Sequence, residues 1–237
     1  RRNGSRRGGE LMREERLPDA EAVARRAAEL VAASARRAVS LRGRFLFAVS
    51  GGTTPWRMLH HLAEEAVPWE AVHLFQVDER IAPAGDPDRN WTHVTGSLLV
   101  RLAEAPAGLH PMPVELPDAD RAAAAYAETL HGVAGAPPEL DLIHLGLGSD
   151  GHTASLLPRD PVLAVEDRDV AVTGEYAGRK RVTLTYPVLN GAERILWIVT
   201  GDDKAAALGR LRSGDGGIPA AGVRRDRAFL LTDQGAG

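Results

Sequence analysis

No cysteine occurs among the 237 residues. Disulfides, thiol catalysis and cysteine-ligated metal sites are therefore excluded, and a reducing cytoplasm is a compatible location. No apolar run approaches the roughly 20 residues needed to span a bilayer, so no membrane partner is expected. Lysine is nearly absent: Lys180 and Lys204 are its only occurrences, and arginine supplies the other basic side chains. No G-x-S-x-G elbow surrounds a serine, which argues against a serine-hydrolase triad. No H-x-x-x-H pair offers a helical zinc site. The formal net charge of -3 gives the whole molecule no polyanion-binding character, so no nucleic-acid partner is expected either. At 44% hydrophobic residues the chain can bury a substantial core. Its length suits one α/β unit.

Residues 1–11 are basic but lack an apolar segment, so they do not form a secretory signal. They are expected to be a disordered extension, with Met12 a candidate natural start. A single α/β domain is expected over 12–237. Pro18 and Asp19 open a helical pattern in which Val23, Ala27, Leu30, Val31 and Ala38 share one face. Strands are expected at 45–49, 72–77, 170–173, 181–186, 195–200 and 228–231, with another apolar run at 140–147. Helices are expected at 55–66, 90–102 and 202–211, and Asp118 should cap one that reaches about His131. Residues 106–117 read as a proline-rich loop. Strands alternating with helices imply a doubly wound, Rossmann-like, mostly parallel sheet with helices on both faces.

Four polar clusters follow apolar runs directly: Ser50 to Pro55, Asp78 to Arg80, Gly148 to Thr153, and Gly201 to Lys204. In an open parallel sheet the carboxyl ends of the strands line one edge, where ligands bind. In the first cluster Gly51 and Gly52 allow close backbone approach. Thr54 is expected to cap a helix beginning at Pro55, whose free N–H groups and dipole suit an anion. A turn that merely needs glycine and a cap reads the same way. In the third cluster His152 combines a strand end, glycine flanks and the neighbouring Asp150. An imidazole there can take a proton from water, although a local hydrogen-bonding role fits the spacing too. His60 and His61 are expected to face solvent, and His73 and His144 to be structural. His93, His110 and His131 have no evident partners. The string GLGSDG imitates a dinucleotide fingerprint, but Pro158 stops the long helix that such a site requires.

The segments SGGTTP, DER, DLIHLGLGSDGHTASLLP and RVTLTYPVLNGAERILWIVTGDDKAAAL resemble the 6-phosphogluconolactonase family in order and spacing. The resemblance runs from about Phe45 to about Leu208. It implies hydrolysis of a sugar-phosphate lactone, 6-phosphogluconolactone, to 6-phosphogluconate in the oxidative pentose phosphate pathway, with no metal or organic cofactor. It places the general base on His152; the neighbouring Asp150 or a nearby backbone carbonyl is expected to orient the imidazole. It places substrate and phosphate contacts on Gly51, Gly52, Thr53, Thr54, Asp78, Arg80, Arg181 and Lys204. Which of the three cations faces phosphate and which the sugar stays open. Leu157 stands where the family often has phenylalanine, and Arg89-Asn90-Trp91 stands for its SNY pattern.

Two alternatives predict different residues. A glucosamine-6-phosphate deaminase would carry GHIAFNEP with a glutamate, where this chain has Leu156-Leu157-Pro158, and a DEY-type motif instead of Asp78-Glu79-Arg80. A non-catalytic sugar-phosphate sensor would carry an N-terminal helix-turn-helix, whereas residues 1–44 offer one helix.

Overall fold

The long apolar runs become strands that are buried on both faces and alternate between two cores. A computed structural model describes residues 12–237, so the expectations for 1–11 lie outside the described residues. In chain order the elements are β1 (Arg13–Leu17), α1 (Ala20–Arg42), β2 (Phe45–Val49), α2 (Thr53–Leu62), β3 (Val72–Gln76) and β4 (Asp78–Arg80). There follow α3 (Asn90–Ser97), β5 (Gly108–His110), α4 (Ala119–Ala134), β6 (Leu142–Leu145), β7 (Val170–Val172) and β8 (Arg181–Leu184). The chain ends with α5 (Tyr186–Gly191), β9 (Ile195–Val199), α6 (Ala205–Ser213) and β10 (Ala228–Asp233).

Seven strands form one sheet in the order β1-β10-β9-β6-β2-β3-β5, every neighbouring pair parallel. Along β2, Phe45, Phe47 and Val49 pack into the layer that holds the apolar sides of α1 and α2. Leu46 and Ala48 point the other way, into the core that contains α4, α5 and α6. This two-residue alternation, covered on both faces, is the pattern of a buried parallel sheet. Helix α1 supplies a mostly alanine stripe, Val23, Ala24, Ala27, Ala28, Val31, Ala32, Ala35 and Ala38. Such small side chains let it lie close to α2 and the sheet. Asp19 caps it, accepting the Ala22 N–H at 2.8 Å.

The doubly wound parallel architecture is present, with several corrections to element limits. Charged β1 was not recognised, because REERL has no apolar alternation; its Glu14 and Glu15 pair with Arg212 and Arg26. Charge is a common device for protecting an edge strand. The loop at 106–117 contains the short edge strand β5. The expected helix 90–102 ends at Ser97 and continues as a 3-10 turn over Leu99–Arg101. The expected helix 55–66 runs from Thr53 to Leu62, so Gly52 rather than Thr54 occupies its cap position.

The largest difference follows β3. Instead of ending in a turn, the chain enters a second, antiparallel sheet ordered β4-β8-β7. Val77 joins the sheets: its N–H donates to Val49 O at 3.0 Å and its carbonyl accepts from Leu184 N at 2.8 Å. This small sheet stands over the carboxyl edge of β2 and β3 and forms one wall of the site.

Candidate active site

The ends of β2, β3, β6 and β9 converge on a cleft of about 440 Å³. Gly51, Gly52, Thr53, Thr54, Asp78, Arg80, His152, Arg181 and Lys204 all line it. Asp150 stands one layer back, against His152. The structure therefore brings together every residue singled out in the four clusters, and Arg181 from β8 as well.

His152 is held from both its backbone and its ring. Its N–H donates to Asp150 Oδ1 at 3.1 Å, and its Nδ1 lies 2.6 Å from the same oxygen. Partial burial works against ionisation of Asp150, but these contacts from His152 outweigh it and hold the carboxyl below its usual range. An ionised carboxylate only accepts hydrogen bonds, so Nδ1 is the donor to it, and in the neutral ring that tautomer leaves the lone pair on Nε2. The fit requires glycine in front of the pair. A Cβ at Gly148 would meet His152 Nδ1 at 2.2 Å and Asp150 Oδ1 at 2.6 Å.

The cationic wall comes from strand register. In the β4–β8 pairing Arg80 lies directly opposite Arg181. Like charges at facing positions repel. Among the described residues neither guanidinium has a carboxylate within 4.0 Å. Arg80 instead donates to Asn90 Oδ1 and to Asp88 O at 3.1 Å. Among the described residues the buried Arg181 Nε has no hydrogen-bond partner. Burial, then the charge of Arg80, lowers the proton affinity of Arg181 from its ordinary value, against the opposing pull of Asp78, Tyr176 and Asp150. An anion placed between these two cations would relieve both costs. Lys204 also reaches the cleft but is paired with Asp203 at 2.9 Å. The other lysine, Lys180, is exposed and does not line it.

Helix α2 begins at the cleft, and its first-turn N–H groups have no intrahelical partners. Gly52 enters it with φ 138, a conformation that side chains rarely adopt. Thr54 does not cap. It is buried, and its Oγ1 lies 2.7 Å from Thr200 Oγ1, which ties the start of α2 to the end of β9.

The acidic residues of Asp78-Glu79-Arg80 act as anchors. Asp78 is only 3% exposed; it accepts from Ser50 Oγ at 3.0 Å and from Ser155 Oγ at 2.7 Å. Glu79 is fully buried and accepts from Gln76 Nε2, Asn90 N and Trp91 N at 2.8 Å and from Arg80 N at 2.9 Å. It thereby holds the start of α3 and the base of Arg80 together. Arg89, the position that departs from the family's SNY pattern, is buried between Glu79 and Glu115. Asn90, Thr200 and Tyr176 belong to the neighbourhood and were not selected from the sequence. The Arg89-Asn90-Trp91 pattern was the one available signal for Asn90; nothing local marked Tyr176.

Among the other histidines, His144 accepts the Ser50 N–H on Nδ1 at 3.2 Å, and burial pushes its pKa down to about 3. It supports the first turn as a neutral ring. His61 does not face solvent; it meets Glu21 at 2.8 Å. His110 and His131 do have partners, His73 at 3.1 Å and Asp169 at 2.6 Å. His93 stacks on Trp56. Among the described residues no group of three potential ligands gathers to hold a metal ion, and no helix is long and apolar enough to cross a membrane.

The family model described as glucosamine-6-phosphate isomerases/6-phosphogluconolactonase matches residues 18–231. The chain belongs to that family. A 6-phosphogluconolactonase of Synechocystis sp. is 40% identical over 179 residues, 74% of each chain. One from Streptomyces coelicolor is 34% identical over 238 residues, covering 92% of this chain and 90% of that protein. The crystal structure of 6-phosphogluconolactonase from Thermotoga maritima superposes with a TM-score of 0.82 at 26% identity, covering 93% of this chain and 98% of the other. The family description spans isomerases and lactonases. Within it, these relatives carry the lactonase name.

Proposed function

We propose that the protein hydrolyses 6-phospho-D-glucono-1,5-lactone to 6-phospho-D-gluconate, the lactone-opening step of the oxidative pentose phosphate pathway, with His152 as general base. One observation carries the proposal. An imidazole with its Nδ1 tied to an ionised carboxylate lines the same cleft as two guanidinium groups that have no carboxylate partner among the described residues. That arrangement suits a neutral, hydrolysable group on a molecule that also bears an anion.

The phosphate is received by Arg80, Arg181 and the N–H groups from Gly51 to Thr54 at the start of α2. Lys204, already paired with Asp203, lies towards the sugar or the phosphate edge. Asp78 uses its donors from Ser50 and Ser155 to stay in place and offers remaining lone pairs to a sugar hydroxyl. His152 Nε2 takes a proton as water oxygen bonds to the lactone carbonyl carbon. Backbone donors of the glycine-rich turns stabilise the resulting oxyanion. The carbon–ring-oxygen bond then breaks, and the imidazolium returns its proton to the leaving oxygen. General base catalysis of this kind contributes about 10²- to 10⁴-fold, roughly 3–5 kcal/mol. Positioning and oxyanion stabilisation supply the remainder.

The deaminase alternative lacks its carboxylate, since buried Leu156 and Leu157 occupy that segment. The deciding experiment measures turnover of freshly prepared lactone, corrected for spontaneous hydrolysis, beside ammonia release from glucosamine 6-phosphate. Lactone turnover without ammonia is expected, and unphosphorylated gluconolactone should be a poor substrate. Ammonia release without lactone turnover would overturn the proposal.

A further inference from the structure

The chain has three tyrosines. Tyr126 is buried and bonds the backbone of Gln76, and Tyr186 donates to Pro219 O at 2.7 Å. The third, Tyr176, is 37% exposed and makes no such core contact. It lies at the tip of the β7–β8 hairpin. Its backbone pairs with Arg179 in both directions, at 3.0 and 3.2 Å. Ala177 and Gly178 between them have φ of 51 and 77, as a tight two-residue hairpin turn requires. Arg179 latches the tip across the molecule, donating to Asp88 at 3.0 Å and to Asp86 at 3.1 Å.

That latch brings Tyr176 against three parts of the site at once. Its hydroxyl donates to Asp150 Oδ2 at 3.4 Å, a long contact on the oxygen that His152 does not use. Its ring meets the His152 ring at 5.9 Å and 64°. The Arg181 guanidinium lies over its face, 5.0 Å from the centroid. A second cleft, of about 340 Å³, runs beneath Tyr176 and shares Gly52, Thr53, Arg80 and Arg181 with the first.

We infer that Tyr176 is a positioning residue: its hydroxyl fixes the rotation of Asp150 behind His152, and its ring fixes the guanidinium of Arg181. The inference rests on His152 being the base. With Oδ2 engaged, the carboxylate cannot turn Oδ1 away from the His152 ring and N–H without losing a third bond. The ring offers its negative face to a cation that has no carboxylate partner among the described residues. The two functions divide between two parts of one side chain, so they can be separated.

Tyr176→Phe removes only the hydroxyl. kcat should fall about 3- to 10-fold while KM stays within about twofold. The pH profile of kcat should change as well, since Asp150 loses one of its donors. Tyr176→Ala removes the ring as well and should add a rise in KM of about fivefold or more. A tyrosine that serves only the hairpin would lower Tm and leave kcat and the profile untouched. A Tyr176→Phe enzyme with normal kcat and a superposable profile, beside an inactive His152→Ala, overturns this inference alone. An active His152→Ala overturns the base assignment and this inference with it.

Discussion

Replacing Glu79 by Gln removes a charge and almost no volume, yet it should be among the most damaging changes near the cleft. Every contact of the carboxylate is an acceptance. Oε1 receives Arg80 N and Asn90 N; Oε2 receives Gln76 Nε2, Trp91 N and, at 3.5 Å, Arg89 Nε. An amide must turn its NH2 towards one of these sets. The less costly choice faces Arg80 and Asn90, and it leaves two backbone N–H groups opposite another donor. Gln76 cannot flip to compensate, because its Oε1 accepts the Met112 N–H at 2.8 Å. At about 1–3 kcal/mol for each of the two orphaned donors the expected loss is about 2–6 kcal/mol, with Arg89 still held by Glu115. That is a large part of a typical stability of about 5–15 kcal/mol. Urea unfolding followed by circular dichroism measures it directly. KM should also rise, because the N-terminus of α3 and the base of Arg80 lose their common anchor. A Glu79→Gln protein with an unchanged unfolding midpoint and slope would refute the reasoning.

Three further outcomes follow from other parts of the structure. His152→Ala should lower kcat by about 10²-fold or more with little change in KM or Tm; near-normal kcat in a folded variant would remove the base. Gly148→Ala should also abolish most activity, since its Cβ would displace His152 and Asp150, while sparing the fold; a fully active variant would show that the pair need not sit where it does. His144 is held neutral with a pKa pushed down to about 3. The unfolded chain therefore binds a proton below about pH 6.5 that the folded protein does not, and stability drops as pH falls through that window. Between pH 6.5 and 4.5 the loss is roughly 2–3 kcal/mol. His144→Gln should flatten this slope in urea titrations, and parallel slopes would exclude the burial argument.

Much of the site was legible because its parts are local. A strand end followed by Gly51-Gly52, or by His152 with a carboxylate two residues before it, is a pattern contained in one short segment. The parallel architecture then carries these segments to the same edge. Asp78 was legible as a candidate contact and Glu79 only as a member of its cluster; neither was legible as an anchor, because most of the donors that occupy them come from other elements. Ser155 lies 77 positions from Asp78. Thr54 looked like a cap for the same reason: the Thr200 hydroxyl that claims it is 146 positions away.

The sequence by itself determined the alternation of strands and helices, the helix opening at Pro18 and Asp19, the cap at Asp118, and the set of chemically active turns. Periodicity, capping and turn chemistry operate over a few residues, so they survive without knowledge of the fold. Only the tertiary structure decided that Asp78, Glu79 and Arg80 start a second sheet, that this sheet sets Arg80 opposite Arg181, and that a hairpin tip brings Tyr176 onto Asp150. Strand register and hairpin placement depend on pairings between distant segments, and those pairings exist only once the two cores have closed around the parallel sheet.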